Sequence, residues 1–210
     1  MNLLGIDPGT ASTGFGVISV DGSTLRAIEH GVLETGAGRP PTERLAAIHR
    51  RVAELIDLHR PASVAMEDLF VGANPRNVLT VGQARGAVMT ACGLVGLEAA
   101  AYPPAEVKAA VCGYGRADKQ QVQRMGGAML AADLAGTSDH ATDALAVAIC
   151  HAVRTRGRRL VEAAAGGSRR FAAACSSAAT AASCSTSTAS ATCWPPPARP
   201  CGWLCPTASR

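Results

Sequence analysis

Acidic side chains follow two short apolar runs of the sequence, at the points where strands would end. Asp7 follows the run at residues 2–6 and precedes a Pro-Gly turn, and Glu67 follows the run at residues 63–66. Carboxylate oxygens are the ligands that hard divalent cations prefer. Because ligands gather at the carboxyl ends of strands in open α/β sheets, the two acids are candidates for one cation site. Taken alone, Asp7 is equally well explained as a turn aspartate.

Further polar residues stand at the start of an apolar stretch, residues 139–154, that has helical spacing. His140 and Asp143 are three residues apart and therefore share one face of that helix. Acids at a helix N-terminus gain about 0.3–1 kcal/mol from the helix dipole, which accounts for Asp139 and Asp143 without any function. The dipole does not account for the histidine. Since polar groups on a buried helix are costly unless paired or metal-bound, we predict that His140 and Asp143 complete the site.

Three carboxylates and an imidazole predict metal-dependent phosphoryl chemistry. Two divalent cations about 3.5–4 Å apart can clamp the attacking and leaving oxygens of an in-line displacement, with a metal-activated water as the nucleophile. No serine or cysteine of the chain stands in a convincing nucleophile setting. We interpret Gly9, Gly14 and Gly16, which follow Asp7, as positions that let a phosphate approach the backbone.

The elements that must position these residues follow an α/β pattern. Strands are predicted at residues 2–6, 13–20, 25–33, 63–66 and 97–102, and helices at residues 41–59, 75–94, 118–134 and 139–154. The order βββαβαβαα predicts a mixed sheet with helices on its faces. Asn74 is the predicted N-cap of the second helix, and Ser138 that of the last.

Composition divides the 210 residues into a globular part, residues 1–155, and a tail, residues 156–210. The globular part carries 13 Lys and Arg against 15 Asp and Glu, so any DNA surface has to be a local patch. The tail carries one acid, Glu162, and has no charged residue between Phe171 and Ala198. It lacks helical or strand periodicity, and we predict a disordered appendage, as a frame-shifted translation of a GC-rich gene would produce.

Several classes of protein are excluded at this stage. The chain reaches an acid at residue 7, which leaves no room for a secretory signal. The apolar run at residues 86–97 is shorter than the roughly 18 residues that span a bilayer. Eight cysteines are scattered without a disulfide framework. We therefore expect a cytoplasmic protein without a membrane partner.

Five segments make the chain resemble the RuvC family of Holliday-junction resolvases, in the ribonuclease H-like superfamily. They are residues 5–9, Glu67 with Phe70, residues 82–86, Lys108 with residues 117–125, and residues 143–148. The segments occur in the family's order with similar gaps and cover residues 1–155. The resemblance implies a ribonuclease H-like, mixed five-stranded sheet flanked by helices.

The resemblance also implies a function. It is a structure-selective endonuclease that resolves four-way junctions by two symmetric metal-dependent nicks, leaving ligatable 5′-phosphate and 3′-hydroxyl ends, in recombination and repair. The implied catalytic residues and ligands of two Mg²⁺ per subunit are Asp7, Glu67, His140 and Asp143. The implied partners are junction DNA, a second copy in a homodimer, and a branch-migration complex of the RuvA and RuvB type.

One residue departs from the commonest family pattern. Many members have an aspartate three residues before the final one, where this chain has His140. Since some members carry histidine there, we keep His140 as a ligand. Imidazole suits magnesium less well than carboxylate does, so we expect activity with both ions and a preference for Mn²⁺.

The family pattern suggests which residues contact DNA, and each has a structural alternative. Phe70 resembles a wedge that stacks on bases, although core packing would also explain it. Lys108 and Lys119, the only lysines, suit phosphate contacts, or else are solvated surface charges. Arg76 is a candidate phosphate contact, whereas Arg85 is either a second contact or structural. We interpret the other histidines as surface or rim residues: His30, His49, His59 and His151.

Three other hypotheses fit part of the pattern. An actin-like or sugar-kinase-like ATPase shares the Asp-x-Gly hairpin but needs two lobes, and 155 residues make one domain. A catalytically weak junction-binding protein would keep the acids for stability alone, although bare acids repel DNA until a bound cation reverses the sign. Another ribonuclease H-like nuclease would share the acids and differ in substrate.

Overall fold

A five-stranded sheet forms the centre of the computed structural model, which describes residues 1–68 and 75–157. Its strands are β1 (Asn2–Asp7), β2 (Ser12–Asp21), β3 (Thr24–Glu34), β4 (Ser63–Glu67) and β5 (Ala99–Tyr102). They lie in the order β3-β2-β1-β4-β5. The first three are antiparallel neighbours, whereas β4 and β5 run parallel to β1. The sheet is therefore mixed, as predicted.

Within residues 1–68 and 75–157, five helices flank the sheet. They are α1 (Pro41–His59), α2 (Pro75–Leu94), α3 (Pro104–Cys112), α4 (Lys119–Leu130) and α5, at residues 139–157. Asp118 caps α4 in a capping box, because its Oδ1 accepts from the Gln121 N–H at 2.8 Å while Gln121 Oε1 accepts from the Asp118 N–H. Ser138 caps α5 as predicted, accepting from the Ala141 N–H at 3.3 Å.

Some predicted boundaries are wrong, and one helix was missed. Helix α3 begins at Pro104, between the strand predicted at residues 97–102 and the helix predicted at residues 118–134, since proline suits the first position of a helix. Helix α4 ends at Leu130 rather than at residue 134, because Ala131 is left-handed, with φ of 50°. The predicted cap Asn74 lies outside the described residues. So does the tail beyond residue 157, whose disorder stays a prediction.

Two hydrophobic cores lie on opposite faces of the sheet. Helices α1 and α2 cover one face, where Leu4 and Ile6 of β1 are buried. Leu3 of β1 and Ala65 of β4 belong to the other core, with α3, α4 and α5. Because side chains alternate between faces along a strand, residues with the parity of Leu3 and Ala65 point toward α5.

Helix α5 lies unusually close to β1 and β2, at three glycines. A methyl group on Gly5 would lie 2.1 Å from the Ala144 carbonyl oxygen, and one on Gly14 would lie 2.0 Å from that of His140. On Gly16 it would meet the Leu145 side chain at 2.7 Å. The interpretation of Gly14 and Gly16 as openings for a phosphate is therefore wrong, because these positions are occupied by a helix.

His151 is buried, so its interpretation as a surface or rim residue is wrong. Its Nε2 lies 2.7 Å from Ser63 Oγ, and its Nδ1 lies 2.8 Å from the Tyr102 hydroxyl. It therefore ties α5 to β4 and β5 within the sheet. Among the described helices, none combines the length and apolar character that crossing a membrane requires.

The glycine contacts predict the effect of one added methyl group. Gly5→Ala should lower the free energy of unfolding by about 2–3 kcal/mol, because backbone atoms of α5 would have to move. Gly126→Ala is the matched control, since its added methyl meets Ile149 at an ordinary 3.8 Å, and removing a helical glycine should stabilise by up to about 1 kcal/mol. Urea denaturation measures both. Equal stability of Gly5→Ala and the wild type would contradict this packing.

Candidate active site

Asp7 and Glu67 are neighbours at one edge of the sheet. Strands β1 and β4 are parallel and pair Ile6 with Met66, so the next residue on each strand is an acid. Both acids have the parity that points toward α5. The predicted convergence of these two carboxylates at the strand ends is thus what the structure shows.

His140 lies against Asp7. Its Nδ1 is 2.7 Å from Asp7 Oδ2, so the carboxylate accepts a hydrogen bond from the ring. The histidine stands in the first turn of α5, whose backbone meets β2 at Gly14. The contact follows from that close approach, because any larger residue at position 14 would push the first turn of α5 away.

Asp143, one turn further along α5, pairs with Lys119. Lys119 Nζ lies 3.2 Å from Asp143 Oδ2 and 3.1 Å from Asp139 Oδ2. Partial burial raises the pKa of Asp143, and Lys119 opposes that rise. Burial by itself would lower the pKa of Lys119, but its bonds to Asp139 and Asp143 raise it. The lysine therefore stays protonated and neutralises part of the acidic charge.

The pKa of Glu67 shows that negative charge at the site is not fully compensated. Its partial burial, followed by the negative charges of Asp7 and Asp143, raises its pKa to about 7. Lys108 and Lys119 act in the opposite direction without offsetting these effects. At neutral pH the cluster thus holds more negative charge than its two lysines balance, and a cation would relieve that excess.

A cavity of about 280 Å³ opens beside these acids. Glu67 and Asp143 line it together with both lysines, and Val107 and Val122 form part of its apolar wall. Lys108 reaches the cavity from α3. Both lysines are far from Glu67 and Asp143 in the sequence. The packing of α3 and α4 brings them to the cavity.

The donor set fits a hard divalent cation. Oxygens of Asp7, Glu67 and Asp143 suit magnesium or manganese, and the excess negative charge favours their binding. Among residues 1–68 and 75–157, however, no three His, Cys, Asp or Glu side chains already surround a point suited to a metal ion. Asp7 is instead bonded to His140, and Asp143 to Lys119. A cation would have to draw these carboxylates together.

Two of the predicted DNA contacts cannot be placed. Phe70 and the side chain of Arg76 lie outside the described residues, so their roles stay predictions. Arg85 is described, and its side chain is 12% exposed. It donates to the Glu67 carbonyl oxygen and lies 3.3 Å from Asp68 Oδ1, which favours the structural interpretation over a phosphate contact.

A second arginine near the site was missed from the sequence. Arg44 of α1 donates through Nε to the Thr10 carbonyl oxygen at 3.0 Å and through Nη2 to Thr10 Oγ1 at 2.8 Å. The buried Thr35 hydroxyl also donates to the Thr10 carbonyl. These bonds fix the loop that follows Asp7. The residues are far apart in sequence and share no motif, so no local signal could have revealed them.

Comparisons with known proteins agree with this geometry. The model of the family "Crossover junction endodeoxyribonuclease RuvC" matches residues 3–151. The chain is 46% identical over 152 residues to RuvC of Moorella thermoacetica, which covers 72% of this chain and 91% of that protein. It is 46% identical over 154 residues to RuvC of Rubrobacter xylanophilus, covering 73% and 86%.

The chain belongs to the RuvC family. Solved structures agree: Thermus thermophilus RuvC is 37% identical and superposes with a TM-score of 0.70, covering 74% of this chain and 96% of that one. The same Thermus protein bound to a Holliday junction substrate gives a TM-score of 0.71, covering 74% and 95%. The prediction of a ribonuclease H-like five-stranded sheet flanked by helices is confirmed. Membership of the RuvC family also implies dependence on a divalent metal ion.

The raised pKa of Glu67 predicts how stability depends on pH in this RuvC-family chain. With the pKa raised from 4.5 to about 7, the folded metal-free protein holds the proton more tightly than the unfolded chain, so this group costs stability as pH rises between those values. The free energy of unfolding of Glu67→Gln, relative to that of the wild type, should therefore rise by about 2 kcal/mol from pH 5 to pH 8, after allowance for solvent screening.

Urea denaturation in EDTA at the two pH values measures this difference. Exposed Glu98 provides the control, and Glu98→Gln should follow the wild type at both. A wild-type protein and a Glu67→Gln variant with the same pH dependence would contradict the electrostatic account of Glu67.

Proposed function

We infer that this chain is an endonuclease that resolves Holliday junctions. The observation that carries the inference is the meeting of Asp7, Glu67 and Asp143, with His140, at one edge of the sheet in a RuvC-family chain. The RuvC of Thermus thermophilus, which shares this fold, has been solved with a Holliday junction substrate. We propose that the activity belongs to residues 1–155, since the family match ends at residue 151.

We further propose that Asp7, Glu67, His140 and Asp143 hold the divalent cations, two per subunit. Bound there, such ions polarise a phosphate oxygen and lower the pKa of a bound water. Among the described residues that line the cavity there is no serine or cysteine, so hydrolysis by water fits better than a covalent intermediate. Mg²⁺ is the expected ion, and His140 favours Mn²⁺, a preference that equal turnover at saturating Mg²⁺ and Mn²⁺ would refute.

Lys108 and Lys119 are proposed to hold the reacting phosphate. Both line the cavity next to Glu67 and Asp143, and each presents a compact positive charge to a phosphate oxygen. Each nick would leave a 5′-phosphate and a 3′-hydroxyl, and two sites acting on strands of like polarity would give ligatable products. Phe70, as a wedge between bases, and Arg76, as a phosphate contact, complete the proposed DNA surface.

We propose that a homodimer supplies the second site, through α2. Exposed apolar side chains lie on one face of this helix, where Leu79 is 67%, Met89 54% and Leu94 74% exposed. Exposed Gly86 and Gly93 lie on the same face and allow another helix to come close. An apolar strip of this kind is typical of a protein interface. A branch-migration complex of the RuvA and RuvB type, in the cytoplasm, is the proposed wider partner.

Cleavage of a mobile four-way junction tests the function. Wild-type protein with Mg²⁺ or Mn²⁺ should give paired, ligatable nicks on the junction and none on a linear duplex of the same sequence. Asp7→Asn should lower the cleavage rate at least about 100-fold, because it removes a charged ligand. Asp21→Asn, at the exposed end of β2, is the matched control.

Other results would separate the alternatives. Cutting of both the junction and the linear duplex would support a metal-dependent nuclease and contradict its selectivity for junctions. Tight junction binding without cutting in either metal would contradict the enzyme and leave a junction-binding protein.

The proposed dimer has its own test. Leu79→Glu should convert the protein from dimer to monomer in light scattering coupled to size exclusion, because it puts a charge into an apolar contact. Leu58→Glu on α1 is the matched control, since Leu58 is equally exposed, at 69%, and lies outside the proposed interface. A dimer that tolerates Leu79→Glu and dissociates with Leu58→Glu would place the interface on α1.

A further inference from the structure

We propose that Arg85 is a positioning residue for the cation site, holding the Glu67 main chain so that its carboxylate faces Asp7. The proposal rests on the role of Glu67 as a cation ligand. Arg85 itself would contact neither cation nor DNA, and it would act only through Glu67.

The chain leaves the sheet at the residue that Arg85 holds. Strand β4 ends at Glu67, and its pairing with β1 ends one residue earlier, at Met66. Toward β5, the Asp68 N–H donates to the Tyr102 carbonyl oxygen at 2.7 Å. Arg85 donates to the Glu67 carbonyl oxygen. The peptide that joins Glu67 to Asp68 is therefore held at both groups, its N–H by β5 and its carbonyl oxygen by Arg85 from outside the sheet.

The fork of the guanidinium suits this task. Nη1 bonds to the Glu67 carbonyl oxygen while Nη2 lies 3.3 Å from Asp68 Oδ1, so one planar group engages two successive residues. A lysine would present a single point charge and could not reproduce both contacts. The pair of contacts fixes the orientation of the peptide as well as its position.

The helix that carries Arg85 is itself firmly seated. Ala84 and Val88, on either side of it, are completely buried in the core beneath α1 and α2. Arg85 reaches the strand end from that face, whereas α5 brings His140 and Asp143 from the other. With its side chain 12% exposed, Arg85 is poorly placed to meet a phosphate backbone.

Glu67 needs such a support because of its surroundings. Its carboxylate is half-buried beside Asp7 and Asp143, and both repel it before a cation binds. A held main chain prevents the strand end from moving away under that repulsion, so only side-chain rotamers could withdraw the carboxylate. Supporting residues of this kind typically contribute 10- to 100-fold to metal affinity.

Arg85→Lys tests the proposal in the full chain, with Mn²⁺ alone as the probe. Calorimetric titration without DNA should show Mn²⁺ binding about 10-fold weaker than in the wild type. Junction affinity in EDTA should stay within about twofold, with an unchanged salt dependence, since no phosphate contact is lost. Arg50→Lys, an exposed arginine of α1, should leave both quantities unchanged.

A second variant separates positioning from general destabilisation. Asp68→Asn removes the ionic partner that orients the guanidinium and should weaken Mn²⁺ binding in the same direction. The double variant should be no weaker than Arg85→Lys alone, because both changes break one connection. If Arg85→Lys fails to fold, Asp68→Asn alone decides: weaker Mn²⁺ binding at an unchanged Tm supports the proposal, and wild-type binding overturns it.

Two results would overturn the proposal. One is wild-type Mn²⁺ affinity in folded Arg85→Lys. The other is junction binding in EDTA that Arg85→Lys weakens and Arg50→Lys does not, which would make the guanidinium fork of Arg85 a phosphate contact. Since Mn²⁺ binding is measured without DNA, absence of junction cleavage in the wild type would refute the proposed function and leave this test intact.

Discussion

The whole site depends on how closely α5 lies against β1 and β2. Gly5 and Gly14 leave space that backbone atoms of the helix fill, and Gly16 leaves space for the Leu145 side chain. This contact sets the height of the first turn of α5 above Asp7 and thus brings His140 within 2.7 Å of it. Glu67 joins them because β4 is parallel to β1 and ends at the same edge. Packing of glycines against a helix is therefore the constraint from which the chemistry follows.

Charge is the second feature that organises this edge of the sheet. Packing brings three carboxylates together, and their mutual repulsion contributes to the raised pKa of Glu67. Lys119 offsets part of that cost through Asp139 and Asp143. The remaining negative charge would repel a DNA backbone and attract a divalent cation, and with the cation bound the same site attracts phosphate. A nuclease uses that reversal, whereas a protein that only binds DNA gains nothing from it.

Features that depend on a local sequence pattern could be predicted from the sequence. Strand ends marked by Asp7 and Glu67, the limits of α1 and α2, and the Ser138 cap could all be predicted from periodicity and capping residues. The sequence was insufficient for features that depend on distant contacts. Helix α3 was not predicted because two successive prolines precede its body and resemble a break. The role of Gly14 depends on its contact with α5, which is distant in the sequence. Arg44 and Arg85 act on backbone carbonyls, which leave no mark in the sequence.

The most direct test of this account is to locate the cation. Crystals of the protein soaked in Mn²⁺ and measured at the manganese absorption edge would show its position by anomalous scattering. We expect a peak within coordination distance, about 2.0–2.5 Å, of carboxylate oxygens of both Asp7 and Glu67, with the Asp143 carboxylate released from Lys119 toward it. A peak elsewhere, or one that Asp7 and Glu67 do not share, would contradict it.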